Sequence, residues 1–194
     1  MSKLYFRYGA MNCGKSAALM QVAYNYESNN KRVFVIKSEI DTKGDNFLES
    51  RIGLRRKVDL LLKKNESLEK YYDEIKKVDC ILIDEAQFLE EKTVDELFYI
   101  AKRFNVPVIC YGLKTNFQGR LFDGSKRIIE LADELEELIT ICKCGKRAKF
   151  NGRYVNGTFT IDGDVVKIDG KDETIEYIPL CGKCYLEEKE KRMF

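Results

Sequence analysis

The chain has 194 residues, 44% hydrophobic and 34% charged, with 34 basic residues against 32 acidic ones. That length suits one main domain with a sizeable core and a small appendage, and so even a charge balance makes no electrostatic case for a nucleic-acid or membrane-surface partner. No apolar run approaches the ~20 residues that span a bilayer, and the apolar segment after Met1-Ser2-Lys3 is too short for a signal-peptide core, so the expected compartment is the cytoplasm. In chain order, Leu4-Tyr5-Phe6 reads as a short strand entering a glycine-containing turn, and Ala17, Met20, Ala23 and Tyr24 then recur at helical spacing. Val33-Phe34-Val35-Ile36 is a continuous apolar run, as in a strand covered on both faces. Residues 38–57 are charged and irregular and are expected to form a mobile loop. A helix is expected over 66–77, then the strand Cys80-Ile81-Leu82-Ile83. Thr93-Val94-Asp95-Glu96 has the form of a capping box, opening a helix striped by Val94, Leu97, Phe98, Ala101 and Phe104. Pro107 leads into the strand Val108-Ile109-Cys110-Tyr111, after which 126–137 reads as helical and 138–141 as extended.

Strands alternating with helices imply an α/β fold, a parallel sheet with helices on both faces. Beyond Cys142 the texture changes: Gly, Asn and Asp turns separate short β-prone runs at 158–161 and 165–168. A boundary is therefore expected near 141, dividing the chain into 1–141 and 142–194. The tail over 187–192 reads as a solvated helix end or a disordered segment.

Residues 9–16 read G-A-M-N-C-G-K-S, the form G-x-x-x-x-G-K-[ST], after a strand and before a helix. Glycines there let the backbone curl so that successive N–H groups point at phosphate oxygens, and the helix N-terminus adds positive potential. Lys15 is expected to reach the β- and γ-phosphates of a bound nucleoside triphosphate, and Ser16 to ligate Mg²⁺. The strand 80–83 ends in Asp84-Glu85. Asp84 would hold the magnesium near Ser16, and Glu85 could orient or deprotonate an incoming nucleophile. Together these features predict a phosphoryl-transfer site, with a P-loop (RecA-like) sheet as the fold.

With E-I-D-T-K at 39–43, D-E-A-Q-F at 84–88, Y-G-L-K-T-N-F-Q-G-R-L-F at 111–122, I-C-K-C-G-K-R-A and L-C-G-K-C-Y, the chain resembles the zinc-containing, cytosolic type II thymidine kinases. It looks closest to the enteric-bacterial branch. The resemblance implies transfer of the ATP γ-phosphate to the 5′-hydroxyl of thymidine, and of deoxyuridine, with Glu85 as general base. ATP would contact Gly9, Ala10, Met11, Asn12, Cys13, Gly14, Lys15 and Ser16, together with Asp84, Glu85, Ala86 and Gln87. The nucleoside site would draw on Met11, Asp41, Lys43, Phe88, Leu113, Phe117, Asn151, Arg153, Ile168, Asp169 and Tyr177. Lys43 stands where the family's Asp-x-Arg has arginine, keeping the charge without the bidentate fork. Asp169 stands in the family's glycine pair. Inhibition by dTTP and a homotetramer also follow from the resemblance alone.

Cys142-x-Cys144 and Cys181-x-x-Cys184 form two close pairs in a chain without histidine. The second has standard zinc spacing, the first is one residue tighter, and the enteric-type relatives share that short pair. A structural Cys₄ zinc site is expected, holding together a C-terminal lasso segment too small for its own core. A non-enzymatic alternative is an ATP-gated module whose basic C-terminal lobe grips nucleic acid. DNA-stimulated rather than thymidine-dependent ATP consumption would mark it.

Overall fold

The computed structural model describes residues 1–40, 46–163 and 174–191. β1 (Leu4–Tyr8) leads through a tight turn to α1 (Lys15–Glu27) and β2 (Val33–Ser38). A small hairpin, β3 (Phe47–Glu49) with β4 (Arg55–Lys57), precedes β5 (Leu60–Leu62). A 3₁₀ turn at Leu68–Tyr71 runs into the single-turn helix α2 (Tyr72–Ile75). Then come β6 (Cys80–Asp84), α3 (Glu91–Tyr99), β7 (Val108–Gly112), α4 (Asp123–Leu131) and β8 (Glu134–Glu137).

The main sheet has the order β5-β2-β6-β7-β1-β8, with every neighbouring pair parallel. Every residue of β2, β6 and β7 is buried, as the apolar runs that open β2 and β6 lead one to expect of strands covered on both faces. Successive side chains go to opposite faces. Val33, Val35, Cys80 and Leu82 pack on Leu19, Met20 and Ala23 of α1, while Phe34, Ile36, Ile81 and Ile83 join Val94 and Leu97 of α3 and Ile128 of α4.

Three local expectations are corrected. The box at 93–96 does not cap α3, which opens at Glu91 with Glu90 at its N-cap. The Glu96 carboxylate instead accepts hydrogen bonds from the Leu68 N–H (2.7 Å) and the Ser67 hydroxyl (2.9 Å). That long-range anchor holds 68–75 as a 3₁₀ turn and one helical turn, so the longer helix expected over 66–77 does not form. The helix expected over 126–137 starts at Asp123 and ends at Leu131. Glu134–Glu137, despite its helix-forming composition, pairs with β1 as an edge strand, because tertiary pairing outweighs local propensity. Within 38–57, the described part includes the β3–β4 hairpin, and the three-residue β5 beyond it was not anticipated.

Past β8 the chain builds a second, smaller unit. β9 (Thr140–Ile141) pairs antiparallel with β10 (Arg147–Ala148). β11 (Phe150–Val155) lies between β12 (Thr158–Thr160) and β13 (Ile175–Leu180), again antiparallel, and α5 (Gly182–Glu190) follows. Its core is Ala148, Phe159, Leu180 and Tyr185 with Cys142, Cys181 and Cys184. The strand expected over 165–168 lies outside the described residues. Among the described residues no helix is long and apolar enough to cross a membrane.

Candidate active site

β6, β7 and β1 are neighbours in the sheet, so the turns at their carboxyl ends meet at one edge. Ligands of open parallel sheets bind at such an edge. The turn after β1 is the glycine loop. Gly14 (φ 80°, ψ 21°) and Asn12 (φ 66°) are left-handed there. A Cβ at Gly9 would sit 2.5 Å from both the Cys13 Sγ and the Leu138 carbonyl oxygen, so the loop closes only over glycine. No side chain caps the N-terminus of α1 and no acidic residue lies in its first turn, so the helix's own side chains leave its positive potential at the loop. Lys15 is buried, its Nζ 3.4 Å from the Ala10 carbonyl oxygen, so the ammonium folds back over the loop.

The Ser16 hydroxyl donates to Asp84 Oδ2 at 2.9 Å, joining the loop to the end of β6. Asp84 Oδ1 is buried and has no hydrogen-bond partner among the described residues. Burial, reinforced by neighbouring Glu85, pushes the Asp84 carboxyl up to about 7. A crowded carboxylate with one orphaned oxygen, beside a hydroxyl, fits the oxygen donors a hard divalent cation takes. Glu85 follows in a left-handed conformation (φ 51°, ψ 39°), which turns its side chain away from that of Asp84. The chain then makes a 3₁₀ turn, Ala86–Phe88, in which Ala86 and Gln87 are buried. Gln87 Nε2 donates to Glu85 Oε2, and Gln87 Oε1 accepts from the Leu113 N–H at 2.9 Å.

The third turn, after β7, carries Leu113 and Phe117. The Phe117 ring is buried beneath the Arg153 guanidinium, 4.8 Å from its centroid. Asn151 bridges two turns: its Oδ1 accepts from the Met11 N–H (2.7 Å) and its Nδ2 donates to the Thr115 carbonyl (3.2 Å). Tyr177 is half-buried on β13, paired in register with Arg153. Phe88 lines an open cleft of about 550 Å³ with Phe122, Asn116, Leu62 and Lys63. Its ring meets Phe122 edge-on at 5.7 Å. Asp41, Lys43, Ile168 and Asp169 lie outside the described residues.

Sequence reasoning missed Phe122 and Asn116, although both fall in the Gly/Asn/Gln-rich segment it had singled out. It also missed Tyr185, whose hydroxyl donates to the Phe117 carbonyl at 2.6 Å. Tyr185 closes the L-C-G-K-C-Y motif, but nothing in that spacing pointed to a partner 68 residues away.

The Sγ atoms of Cys142, Cys144, Cys181 and Cys184 all lie within 4.8 Å of one another, with Cys144 and Cys181 at 3.5 Å. Four thiolates around one zinc at ~2.3 Å stand ~3.8 Å apart, so the cluster is compatible with zinc. The Cys184 N–H favours the thiolate of Cys181, whereas the hydrogen bond to Cys144 and burial push the Cys184 thiol up to about 12. So crowded a set of sulfurs is relieved by a cation. Cys80 and Cys110 are buried packing residues whose thiols burial pushes up.

A parallel sheet with a glycine loop at the carboxyl end of its first strand defines a P-loop nucleotide-binding protein. Residues 2–185 match the family described as thymidine kinase. Among curated relatives, thymidine kinase of Francisella tularensis subsp. tularensis is 40% identical over 193 residues, covering 96% of this chain and 98% of that one. That of Enterococcus faecalis is 40% identical over 191 residues, covering 97% of each. Among solved structures, AMPPCP-bound DnaA from Aquifex aeolicus is similar at 20% identity and a TM-score of 0.44, over 71% of this chain and 41% of that chain. The chain belongs to the thymidine kinase family.

Proposed function

We propose that the chain transfers the γ-phosphoryl group of ATP to the 5′-hydroxyl of thymidine, and of deoxyuridine, giving ADP and the nucleoside 5′-monophosphate. The observation that carries this reading is the Ser16–Asp84 hydrogen bond, which joins the glycine loop to the acidic strand end bearing Glu85, in a chain of the thymidine kinase family. The loop amides of 9–16 and Lys15 hold the phosphates, with the backbone of Ala86 and Gln87 completing that side of the site. Ser16 and Asp84 would hold Mg²⁺, which when bound offsets the negative charge of the phosphates. Glu85 orients the 5′-hydroxyl and takes its proton late, as the new O–P bond forms and the bond to the ADP oxygen breaks. Preorganised charge at the loop supplies the larger share of the rate.

Met11, Phe88, Leu113, Phe117, Asn151, Arg153 and Tyr177 would form the nucleoside site, joined by Asp41, Lys43, Ile168 and Asp169. Phe122, edge-on to Phe88, belongs with them. Zn²⁺ on the four cysteines would fix residues 142–194 as a lobe closing over the nucleoside. Inhibition by dTTP, a homotetramer and a cytoplasmic location are proposed on family membership.

Steady-state kinetics of Glu85→Gln test this reading. A loss of at least ~100-fold in kcat, with ATP affinity retained, is expected for removal of a general base. Full activity in that variant would remove Glu85 from its role.

A further inference from the structure

We infer that Gln87 is the positioning residue for Glu85 and fixes the base relative to the acceptor-binding segment. This inference rests on the reading of Glu85 given above. Glu85 sits in a left-handed turn, a conformation that is costly for a non-glycine residue and persists only where its surroundings hold it. Gln87, two residues on and only 2% exposed, supplies part of that hold.

Its amide is used at both ends. The Leu113 N–H can only donate, so the amide atom facing it at 2.9 Å must be the oxygen. The NH₂ group is thereby turned to the Glu85 carboxylate, which can accept. A flipped amide would set donor against donor and acceptor against acceptor, so the orientation is fixed by the network. With Oε2 engaged by Gln87, Oε1 is the oxygen that would take the acceptor proton. Leu113 is gripped on its other side too, its carbonyl accepting from the Ser125 hydroxyl at 2.6 Å.

The neighbouring backbone points the same way independently. Gly112 is not in a left-handed conformation, yet a Cβ there would lie 2.8 Å from Gln87 Oε1 and 3.1 Å from the Gln87 nitrogen. Glycine at 112 leaves the room that the amide occupies. Glutamate at 87 could still accept from Leu113, but would set one carboxylate against another. Methionine could do neither, and asparagine is one methylene short.

The test is steady-state kinetics of Gln87→Glu and Gln87→Met, each made in the wild-type and the Glu85→Gln backgrounds, with ATP-analogue affinity and the thermal midpoint measured for every variant. Both substitutions are expected to lower wild-type kcat by about 10- to 100-fold, the factor carried by a hydrogen bond to a charged group. The KM for thymidine should rise further in Gln87→Met, which also releases Leu113, than in Gln87→Glu. In the Glu85→Gln background either change should cost less than ~3-fold in kcat, since a residue acting through another has little left to lose. An equal loss in both backgrounds, or none in the wild type, overturns the inference. Glu85→Gln at full activity would sink the base itself, whereas an impaired Glu85→Gln beside a neutral Gln87→Met sinks only the positioning role. Should Gln87→Glu fail to fold, the near-isosteric apolar Gln87→Met carries the same comparison.

Discussion

The main sheet and the segment beyond Ile141 hold themselves together by different means. The sheet buries an apolar layer on each face, which fixes the strand ends from which the three turns spring. The smaller segment has one compact cluster in which three of the seven buried residues are cysteines. With so little apolar surface to bury, a metal held by the four sulfurs would be its main source of order. Yet this weaker part reaches into the stronger one at the turns themselves. Asn151 holds the Met11 and Thr115 backbones, Tyr185 holds Phe117, and the Gln118 side chain donates to the Ile161 carbonyl. The sheet half thus sets where the phosphates go, while the smaller half braces the segment proposed to take the acceptor.

If that division is right, the largest effect should come from Cys181→Ser. Cys181 belongs to the sulfur cluster, and its Sγ also accepts from the Cys184 N–H as the N-cap of α5. Loss of bound zinc and a fall of at least ~100-fold in kcat/KM for thymidine are expected, since metal binding and local folding are one equilibrium here. Nucleotide-analogue affinity should fall far less. Metal analysis with a binding titration checks both, and equal losses for the two substrates would break the contrast. Next is Gly124→Ala in the sheet half. The added Cβ would lie 2.6–2.9 Å from the carbonyl oxygens of Leu89, Ala86 and Gln87, where α4 packs on the turn bearing Gln87. Backbone cannot yield cheaply, so a loss of about 1–3 kcal/mol is expected, visible as a lowered thermal midpoint. An unchanged midpoint would count against so tight a seam.

Much of the strong half was legible in the sequence, and the reason is physical. Doubly covered strands write themselves as apolar runs, as at Val33-Phe34-Val35-Ile36 and Cys80-Ile81-Leu82-Ile83. A phosphate loop demands particular residues at a fixed spacing. The four cysteines that come together were legible for the same reason. What stayed hidden was set by partners distant in sequence. Glu96 looks like a local cap but binds Leu68, and Glu134–Glu137 looks helical until β1 offers it an edge. The brace from Tyr185 to Phe117 spans 68 residues and has no local signature. Gln87 was visible within a motif, but its two-ended use depends on Leu113, which sequence spacing alone could not bring beside it.

That brace gives a smaller prediction. Tyr185→Phe keeps the ring stacked on Phe150 (centroids 4.7 Å apart) but deletes the hydroxyl. A cost of about 1 kcal/mol is expected for one lost hydrogen bond, seen as a few-fold rise in the KM for thymidine with that for ATP unchanged. A shift of both KM values together would mean that the brace supports the whole edge rather than the acceptor segment.

The smallest effect belongs to the seam between β1 and β8. Asp133 accepts from Lys102 (2.6 Å) and from the Leu4 N–H (2.7 Å). Burial works against its charge, but these donors outweigh it and hold the carboxyl below its ordinary value of 3.8. A carboxyl with a depressed folded-state pKa contributes stability above its unfolded value and loses it as pH falls through the folded one. Asp133→Asn should therefore lower stability at neutral pH, by under about 1 kcal/mol for so accessible a pair. The gap to wild type should close progressively below the ordinary carboxylate range. Thermal unfolding across that range reads the effect, and a gap independent of pH would show the loss to be steric rather than ionic. Neither KM should move, because this pair ties together strands of the half that already holds its own shape.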